Sequence, residues 1–429
     1  MNLKNSFKDL SHVEMQFVDL SGRLKAIDIT PKRYIESLTE GKVFDGYSAR
    51  MAPIENSDLI LKPISSTFFR LPWNPKAARV LCDIYTTDGS MEECEISPRF
   101  ILKRQLKEAR KKGFKLFAAV ENEFFLLKDG SLIDDVGYFF PTPLDKTKLF
   151  RQKLFEVLSE CANIKVEYMH HEASPGQGEI SLKVDEGLRM ADSATAFRYL
   201  AQNLAFVNGT LLTFMPKFKV GIKGNGMHVH MSLSDLKGRN LFYSKSSDFK
   251  ISELARRFMA GILKHYKSLV GLAAPTINSR KRLVSGYEAP VNKAWGPKNR
   301  SALIRIPPFK SEKAARIEFR MPDSTSNPYL LFATILAAGL EGIEKELNPG
   351  EACLENTYES SKWETIPERQ EDVIKELEKD KLIESVLGKK VLSRYVEILK
   401  KEWKEFSATN KKWNPLIITE WEKKRYLQF

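Results

Sequence analysis

His170-His171-Glu172-Ala173-Ser174-Pro175-Gly176-Gln177-Gly178-Glu179 sets two carboxylates and two imidazoles around a turn rich in glycine and proline. Four of the six histidines in the chain fall here or in Gly226-Met227-His228-Val229-His230, and that clustering points to chemistry. A third segment, Glu121-Asn122-Glu123-Phe124-Phe125-Leu126, holds two glutamates two apart in a run that otherwise reads as a buried strand. Both side chains then point to one face of a sheet. Carboxylates seldom enter an interior without a cation to meet them. All three segments lie on or beside predicted strands, and ligands converging from several strands predict a curved sheet or barrel with its site at one end.

A chain of 429 residues with 42% hydrophobic side chains can bury a substantial core, and it predicts one small and one large domain. Cys82, Cys94, Cys161 and Cys353 form no C-x-x-C pair, which fits free thiols in a reducing cytoplasm. Met1 to Leu20 lacks the apolar stretch of a signal peptide, and the apolar run Tyr329 to Leu340 is too short to span a bilayer. The expectation is a soluble, cytoplasmic protein with no membrane partner. The net charge is +13, and Thr276 to Arg320 alone carries eleven Lys or Arg against three Glu. Arg282, Arg300, Arg305, Arg316 and Arg320 lie there among turn and strand signals, which suits a funnel for a small polyanion such as a nucleotide. A nucleic-acid face would interleave exposed aromatics with its basic residues, so no nucleic-acid partner is expected. Other basic runs, such as Lys103 to Lys115, read as solvated helix faces.

Residues 13 to 29 alternate apolar and polar around Leu20-Ser21-Gly22 and read as a hairpin; strand-like runs follow at Asp58 to Lys62 and Arg79 to Tyr85. Ser97-Pro98 predicts an N-cap, with a helix running to a stop at Gly113. The expected domains are residues 1–97 and 98–429. In the second, strands are predicted at Leu116 to Leu127, Ile164 to Met169, just after Glu179, Leu212 to Val220, Met227 to Leu233 and Arg316 to Met321. Helices are predicted after Asp145, up to Asn208-Gly209, from Ser252, after the Asn327-Pro328 cap and over Gln370 to Leu387. Trp403, Trp413 and Trp421 are available to pack the tail. The fold class is α+β.

Glu121, Glu123, Glu172, Glu179 and Glu318 with one or two imidazoles make a hard, oxygen-dominated set. It favours Mg²⁺ or Mn²⁺ over Zn²⁺, and its size suggests two ions. Taken singly, each of these residues reads more readily as a strand glutamate in a salt bridge or a satisfied histidine than as a ligand. Gly221-Ile222-Lys223-Gly224-Asn225-Gly226 lacks the G-K-[ST] ending of a phosphate-binding loop and precedes a strand, so a nucleotide must be held by metal, arginines and loop backbone.

The segments at Glu121, His170 and Gly226, together with Asn278 to Asn292, Asn299 to Pro307 and Arg316 to Arg320, closely resemble glutamine synthetase of the prokaryotic type I class. The resemblance runs nearly end to end. It implies an N-terminal β-grasp domain, a catalytic barrel of curved antiparallel sheet and helices, and a dodecamer of two hexamer rings with each site between subunits. It implies ATP-dependent ligation of ammonia to the γ-carboxylate of L-glutamate through a γ-glutamyl phosphate. By match of motif, Glu123, Glu172 and Glu179 would hold one metal, and Glu121, His228 and Glu318 the second. Arg282, Arg300 and Arg320 would handle the glutamate carboxylate and the moving phosphoryl group, and Gly224 lies in a loop that meets glutamate. His230, Ser232, Arg305, Lys313 and Arg316 would line ATP, and Glu288 would sit on a closing flap. Asp45 and Ser48 of an adjacent copy, with Tyr138 and Glu172, would form the ammonium pocket, Asp45 serving as base.

The chain departs from the family at Lys223, in the loop that meets glutamate, at Val184 near the expected adenine, and at Tyr47 beside the ammonium pocket. Tyr358 falls near a position that is adenylylated in some members, but Asn356-Thr357-Tyr358-Glu359-Ser360 does not resemble that loop well, and the sequence carries no claim of such regulation. The alternative is a relative that ligates glutamate to another amine. A non-catalytic relative is disfavoured by the intact set of metal ligands.

Overall fold

A computed structural model describes residues 7, 9–88 and 92–429. The predicted hairpin forms β1 (His12–Val18) and β2 (Leu24–Ile29), and β3 (Lys42–Asp45), β4 (Asp58–Pro63), β5 (Phe69–Leu71) and β6 (Asn74–Thr86) complete the first sheet. Its order is β2-β1-β6-β4-β3, with β5 on β6 and β1 parallel to β6. A helix not foreseen from the sequence, Pro31–Glu40, packs on this sheet; Thr30 caps it by accepting from Arg33 N, and Tyr34 is buried against Phe7 and Phe68. This is the expected β-grasp domain.

The second sheet is built on one strand. After β7 (Lys115–Lys128) come β8 (Ser131–Leu132), β9 (Val166–His171), β10 (Gln177–Leu182), β11 (Asp185–Glu186), β12 (Leu211–Thr213), β13 (Met227–Ser234), β14 (Asn292–Pro297), β15 (Ala302–Ile306) and β16 (Ile317–Phe319). The order is β14-β15-β16-β13-β7-β10-β9, with β8, β11 and β12 also paired to β7. Serving five partners along fourteen residues, β7 makes the sheet curl. The pairing is antiparallel except at the edge, where β14 runs parallel to β15.

Buried helices back this sheet. Pro328–Glu344 is capped by Asn327, whose side chain accepts from Tyr329 N and Leu330 N, and is apolar on nearly every side because all but its last turn lies in the core. It crosses Glu253–Lys264 so closely that a Cβ on Gly261 would meet Ala338 O at 1.9 Å, so the crossing requires glycine. Among the described residues no helix is long and apolar enough to cross a membrane. The two domains are joined by buried polar contacts. Arg198 donates to Gly22 O and to Ser324 O at 3.0 and 2.7 Å, and Asn327 Nδ2 donates to Asp19 O at 3.1 Å.

Two sequence-based expectations need correction, and a third, the helical run Gln370 to Leu387, holds with a break. The strand predicted over Leu212 to Val220 stops at Thr213. Pro216 and Gly221 break the ladder, and Asn225 Nδ2 takes the carbonyls of Thr213 and Met215 that a continuing strand would have used. Ser97 stands at the N-cap of Pro98–Lys111, but its hydroxyl makes no cap bond; the helix start is anchored by Arg99 on Asp192 and Asp83. Gln370 to Leu387 is two helices, because Asp380 ends Gln370–Lys379 and caps Lys381–Leu387 through Leu382 N and Ile383 N.

The same Asp380 carboxylate lies 2.7 Å from His265 Nδ1, and Glu341 lies 2.7 Å from His265 Nε2. Burial opposes the charged ring, but the two carboxylates prevail and hold the His265 pKa above its usual value. The bridge is therefore fully present below about pH 6.5 and is lost as pH rises through the raised value. His265→Gln is expected to destabilise the chain by about 1–3 kcal/mol near pH 6 and by less near pH 9. Thermal melts at both pH values check this, and an equal gap at both would show that charge on His265 contributes nothing.

Candidate active site

Strand register assembles the site. Glu179 on β10 lies opposite Glu123 on β7 and opposite His170 on β9. His228 on β13 lies opposite Glu121, and Glu318 on β16 lies opposite both His230 and Arg305. Residues from six strands thus share one face, as the alternation of Glu121/Glu123 and His228/His230 predicts. Glu172 follows β9 on the turn before β10, where its carboxylate accepts from Ala173 N at 2.6 Å. Gln177 ties that turn to the next loop by donating to Gly224 O and Asn225 Oδ1 at 3.1 and 3.0 Å. Gly226 N donates to Glu123 at 2.8 Å, and a Cβ at Gly226 would press on Arg282 Nη2, His228 Nε2 and Glu123 Oε1, so only glycine leaves that space to the polar atoms.

The face opens into a cavity of about 440 Å³. It brings together Glu121, Glu123, Tyr138, Glu172, Glu179, Gly224, His228, His230, Arg282, Glu288, Arg300, Arg305, Arg316 and Arg320. Glu318 lies fully buried behind it, held by Arg305 Nη1 at 2.5 Å and Arg320 Nη1 at 2.6 Å. A second cavity of about 330 Å³ shares Glu121, Tyr168, His230 and Arg316 with the first and is lined by Ser232, Lys313 and Val184. Asp45 and Ser48 line neither cavity; they are exposed in the N-terminal domain, where Ser48 Oγ bonds the Asp45 carboxylate. One chain therefore does not bring them to the site.

Among the described residues, metal-ligating atoms gather at the cavity in two groups, His170/Glu172/Glu179 and Glu121/His230/Glu318, each with its atoms within 4.8 Å of one another; they hold His170 where Glu123 was expected and His230 where His228 was expected. His228 stands between them, 3.2 Å from Glu121, 3.7 Å from Glu318 and 3.9 Å from Glu123. Arg316 Nε donates to His230 Nδ1 at 3.2 Å, which leaves the His230 proton on Nε2, 2.8 Å from Glu121.

The electrostatics divide the same way. Burial raises Glu318, but the Arg320 guanidinium and the imidazoles bring its carboxyl down to about 2. Burial likewise opposes ionisation of Glu121, yet His230 and His228 hold it well below the usual range. On the other side burial wins: it raises Glu123, it raises Glu179 further with the charges of Glu121 and Glu123, and it pushes Glu172, beside Glu179, up to about 7. Crowded, buried hard oxygens short of countercharge fit a divalent cation.

Tyr168 and Lys217 escaped the sequence reading, as did the partners of Lys223 and His171. Tyr168 bonds Glu121 through its hydroxyl, and its place two residues before His170 on β9 was the available signal. Lys223 pairs with Glu288, and Lys217 lies 3.8 Å over the ring of Tyr287. His171 turns away from the cavity and joins Asp134 at 3.1 Å. The C-terminal tail also matters. Lys281, buried, pairs with Glu422 beneath Phe406 and Trp413, and Asn278 donates to Glu422 at 2.9 Å, which fixes the short helix Ile277–Arg282 and so Arg282.

Because burial beside Glu179 pushes Glu172 up to about 7 and cations bind its ionised form, Mg²⁺ affinity is expected to rise between about pH 6 and about pH 8, with net release of protons near pH 6.5. Calorimetry in buffers of different ionisation enthalpy measures this. Binding without proton release would remove Glu172 from the ion's ligands.

Residues 9–87 match the family model described as "Glutamine synthetase, beta-Grasp domain", and residues 95–416 match "Glutamine synthetase, catalytic domain". The chain is 41% identical to a glutamine synthetase of Thermotoga maritima over 439 residues, covering 98% of this chain and 97% of the relative. It is 40% identical to one from Pyrococcus woesei over 437 residues, covering 97% and 96%. Among solved structures, "Apo GmaS without ligand" is similar with a TM-score of 0.87 at 28% identity, covering 98% of this chain and 97% of that one. "GmaS/ADP complex-Conformation 1" is similar with the same TM-score and identity, covering 98% of each.

Proposed function

The chain belongs to the glutamine synthetase family, whose members are ligases, and from that premise we propose that it joins ammonia to the γ-carboxylate of L-glutamate in the cytoplasm, with ATP converted to ADP and phosphate through a γ-glutamyl phosphate. The observation that carries this reading is the single cavity in which buried carboxylates face Arg282, Arg300, Arg305, Arg316 and Arg320. In the first step a γ-carboxylate oxygen bonds to the γ-phosphorus of ATP and ADP departs. In the second the ammonia lone pair attacks the acyl carbon, the C–O bond breaks, and phosphate leaves with that electron pair. Attack of one anion on another needs countercharge. Arg300, exposed at the cavity, and Arg316, on its border with the second cavity, would meet the phosphoryl group, while Arg305 and Arg320 hold Glu318 ionised.

Two divalent ions would be held by Glu123, Glu172 and Glu179 and by Glu121, His228 and Glu318, and bound there they would neutralise charge on the transferring group. Ser232, Lys313 and Val184 would face the nucleotide in the adjoining cavity. Glu288 would close over glutamate and keep water from the acyl phosphate. The proton released as the amide forms needs a base. An exposed carboxylate is ionised at neutral pH, and Asp45, which accepts from Ser48 N at 3.2 Å, would take that role if a neighbouring copy delivers it, as in a dodecamer of two hexamer rings.

Glu123→Ala is expected to cut ammonium-dependent phosphate release at least about a hundredfold while ordered structure persists by circular dichroism. Near-normal turnover would sink the metal assignment. A panel of amines in the same assay tests the acceptor: ammonium is expected to be fastest, and faster release with ethylamine or putrescine would move the reaction to a larger amine.

Asp45→Ala and Glu172→Ala chains are each expected to be inactive alone, and their co-assembled mixture to regain part of the activity at interfaces that receive both intact residues. Confirmed co-assembly without recovery would confine each site to one chain.

A further inference from the structure

The mouth of the cavity holds a cation that the reaction does not require. Lys223 Nζ pairs with Glu288 Oε1 and lies 5.3 Å from the centroid of the Tyr138 ring. A carboxylate beside an aromatic face is a receptor for a primary ammonium group. The loop bearing Lys223 is fixed at its backbone: Lys223 N donates to Ser174 Oγ at 2.8 Å, and Gly224 O accepts from Gln177 at 3.1 Å. The facing segment is fixed by Lys217, whose ammonium sits 3.8 Å over Tyr287, and by Arg320, which donates to Glu288 O at 3.2 Å. With both backbones tied in this way, the four-carbon stem of Lys223 can swing without moving either segment. With side-chain exposures of 29% for Lys223 and 40% for Glu288, the pair is weak enough to open.

We propose that Lys223 sets substrate affinity as a tethered competitor: its ammonium occupies, on Glu288 and Tyr138, the place that the primary ammonium group of a substrate must take. The proposal rests on the ligase reading only in that both co-substrates carry such a group, the α-ammonium of glutamate and the ammonium ion itself. Displacement requires no covalent step. Lys223 swings out, the substrate cation replaces it on Glu288, and the net charge of the subsite is unchanged. Lys217 does not compete, because its Nζ is committed to Ile222 O and the Tyr287 ring.

Steady-state kinetics on Lys223→Met and Lys223→Arg test this. Lys223→Met keeps the length of the stem and removes the charge. It is expected to lower KM for one substrate by about threefold to fivefold, the range an exposed ion pair supports, with a smaller change in kcat. A fall confined to glutamate assigns the subsite to the α-ammonium group, and a fall confined to ammonium assigns it to the acceptor. Lys223→Arg is expected to stay near the wild-type KM. Both KM values unchanged or raised in a folded Lys223→Met protein would overturn the proposal. If the wild type releases no phosphate with glutamate, ammonium and ATP, the ligase reading fails by itself. Calorimetric titration of glutamate and of methylammonium then decides the role of Lys223: tighter binding of either to Lys223→Met supports it, and equal binding overturns it. Should Lys223→Met fail to fold, Lys223→Gln replaces it in both measurements.

Discussion

Crowding five carboxylates, four of them buried, at one face of a sheet and its adjoining turn is the constraint to which the rest of this structure answers. Transfer of each ionised group from water is costly, and mutual repulsion adds to it. Two solutions stand side by side. Glu318 and Glu121 are met by arginine and histidine and stay ionised, while Glu123, Glu172 and Glu179 have too little countercharge and are pushed toward the protonated form. The under-compensated half is where an added cation gains most, so stability forgone in the folded chain becomes affinity for an ion.

That balance depends on placing each charge within an ångström or so, and the surrounding architecture does little else. The length of β7 allows strands on both sides to present ligands in register. Behind the Glu172 turn, the pair of His171 and Asp134 fastens the chain, and Asp134 also accepts from Gly176 N at 2.7 Å. Arg282 reaches the cavity because its short helix is held from beneath by the Lys281–Glu422 pair, with Lys281 in turn lying against Phe406 and Trp413. Of these buried charges, His171 and Lys281 are paired with carboxylates and Arg282 donates to the carbonyls of Met321 and Arg320, so each is hydrogen-bonded, as a buried ionic group must be to position a site.

The basic stretch from Thr276 to Arg320 shows where reading charge from sequence alone falls short. Its five highlighted arginines do line the cavity, but Arg280 and Lys281 in the same run point into the core. Arg280 donates to Ala274 O, and burial brings its pKa down to about 9. A surplus of positive charge in the sequence thus divided between ligand recognition and internal scaffolding. Tyr358 gives a similar lesson: its hydroxyl donates to Ala289 O at 2.9 Å and burial raises its pKa to about 12, so it braces the segment after Glu288.

Periodicity and residue type were enough to place Glu121 with Glu123 and His228 with His230 on common faces, to foresee the hairpin, and to locate the Asn327 cap, because these depend on spacings of two or of one helical turn. The hard-oxygen donor set was legible for the same reason. What only the tertiary structure decided was pairing between distant strands: that Glu179 faces Glu123, that Glu318 is shared by Arg305 and Arg320, and that Lys223 meets Glu288 across 65 residues of sequence. The end of β12 at Thr213 was decided there too, by side-chain hydrogen bonds that a local pattern does not encode. Local spacing determines which way a side chain points, but register, loop course and the partner of a buried charge are set by contacts far apart in the chain, and those exist only once it has folded.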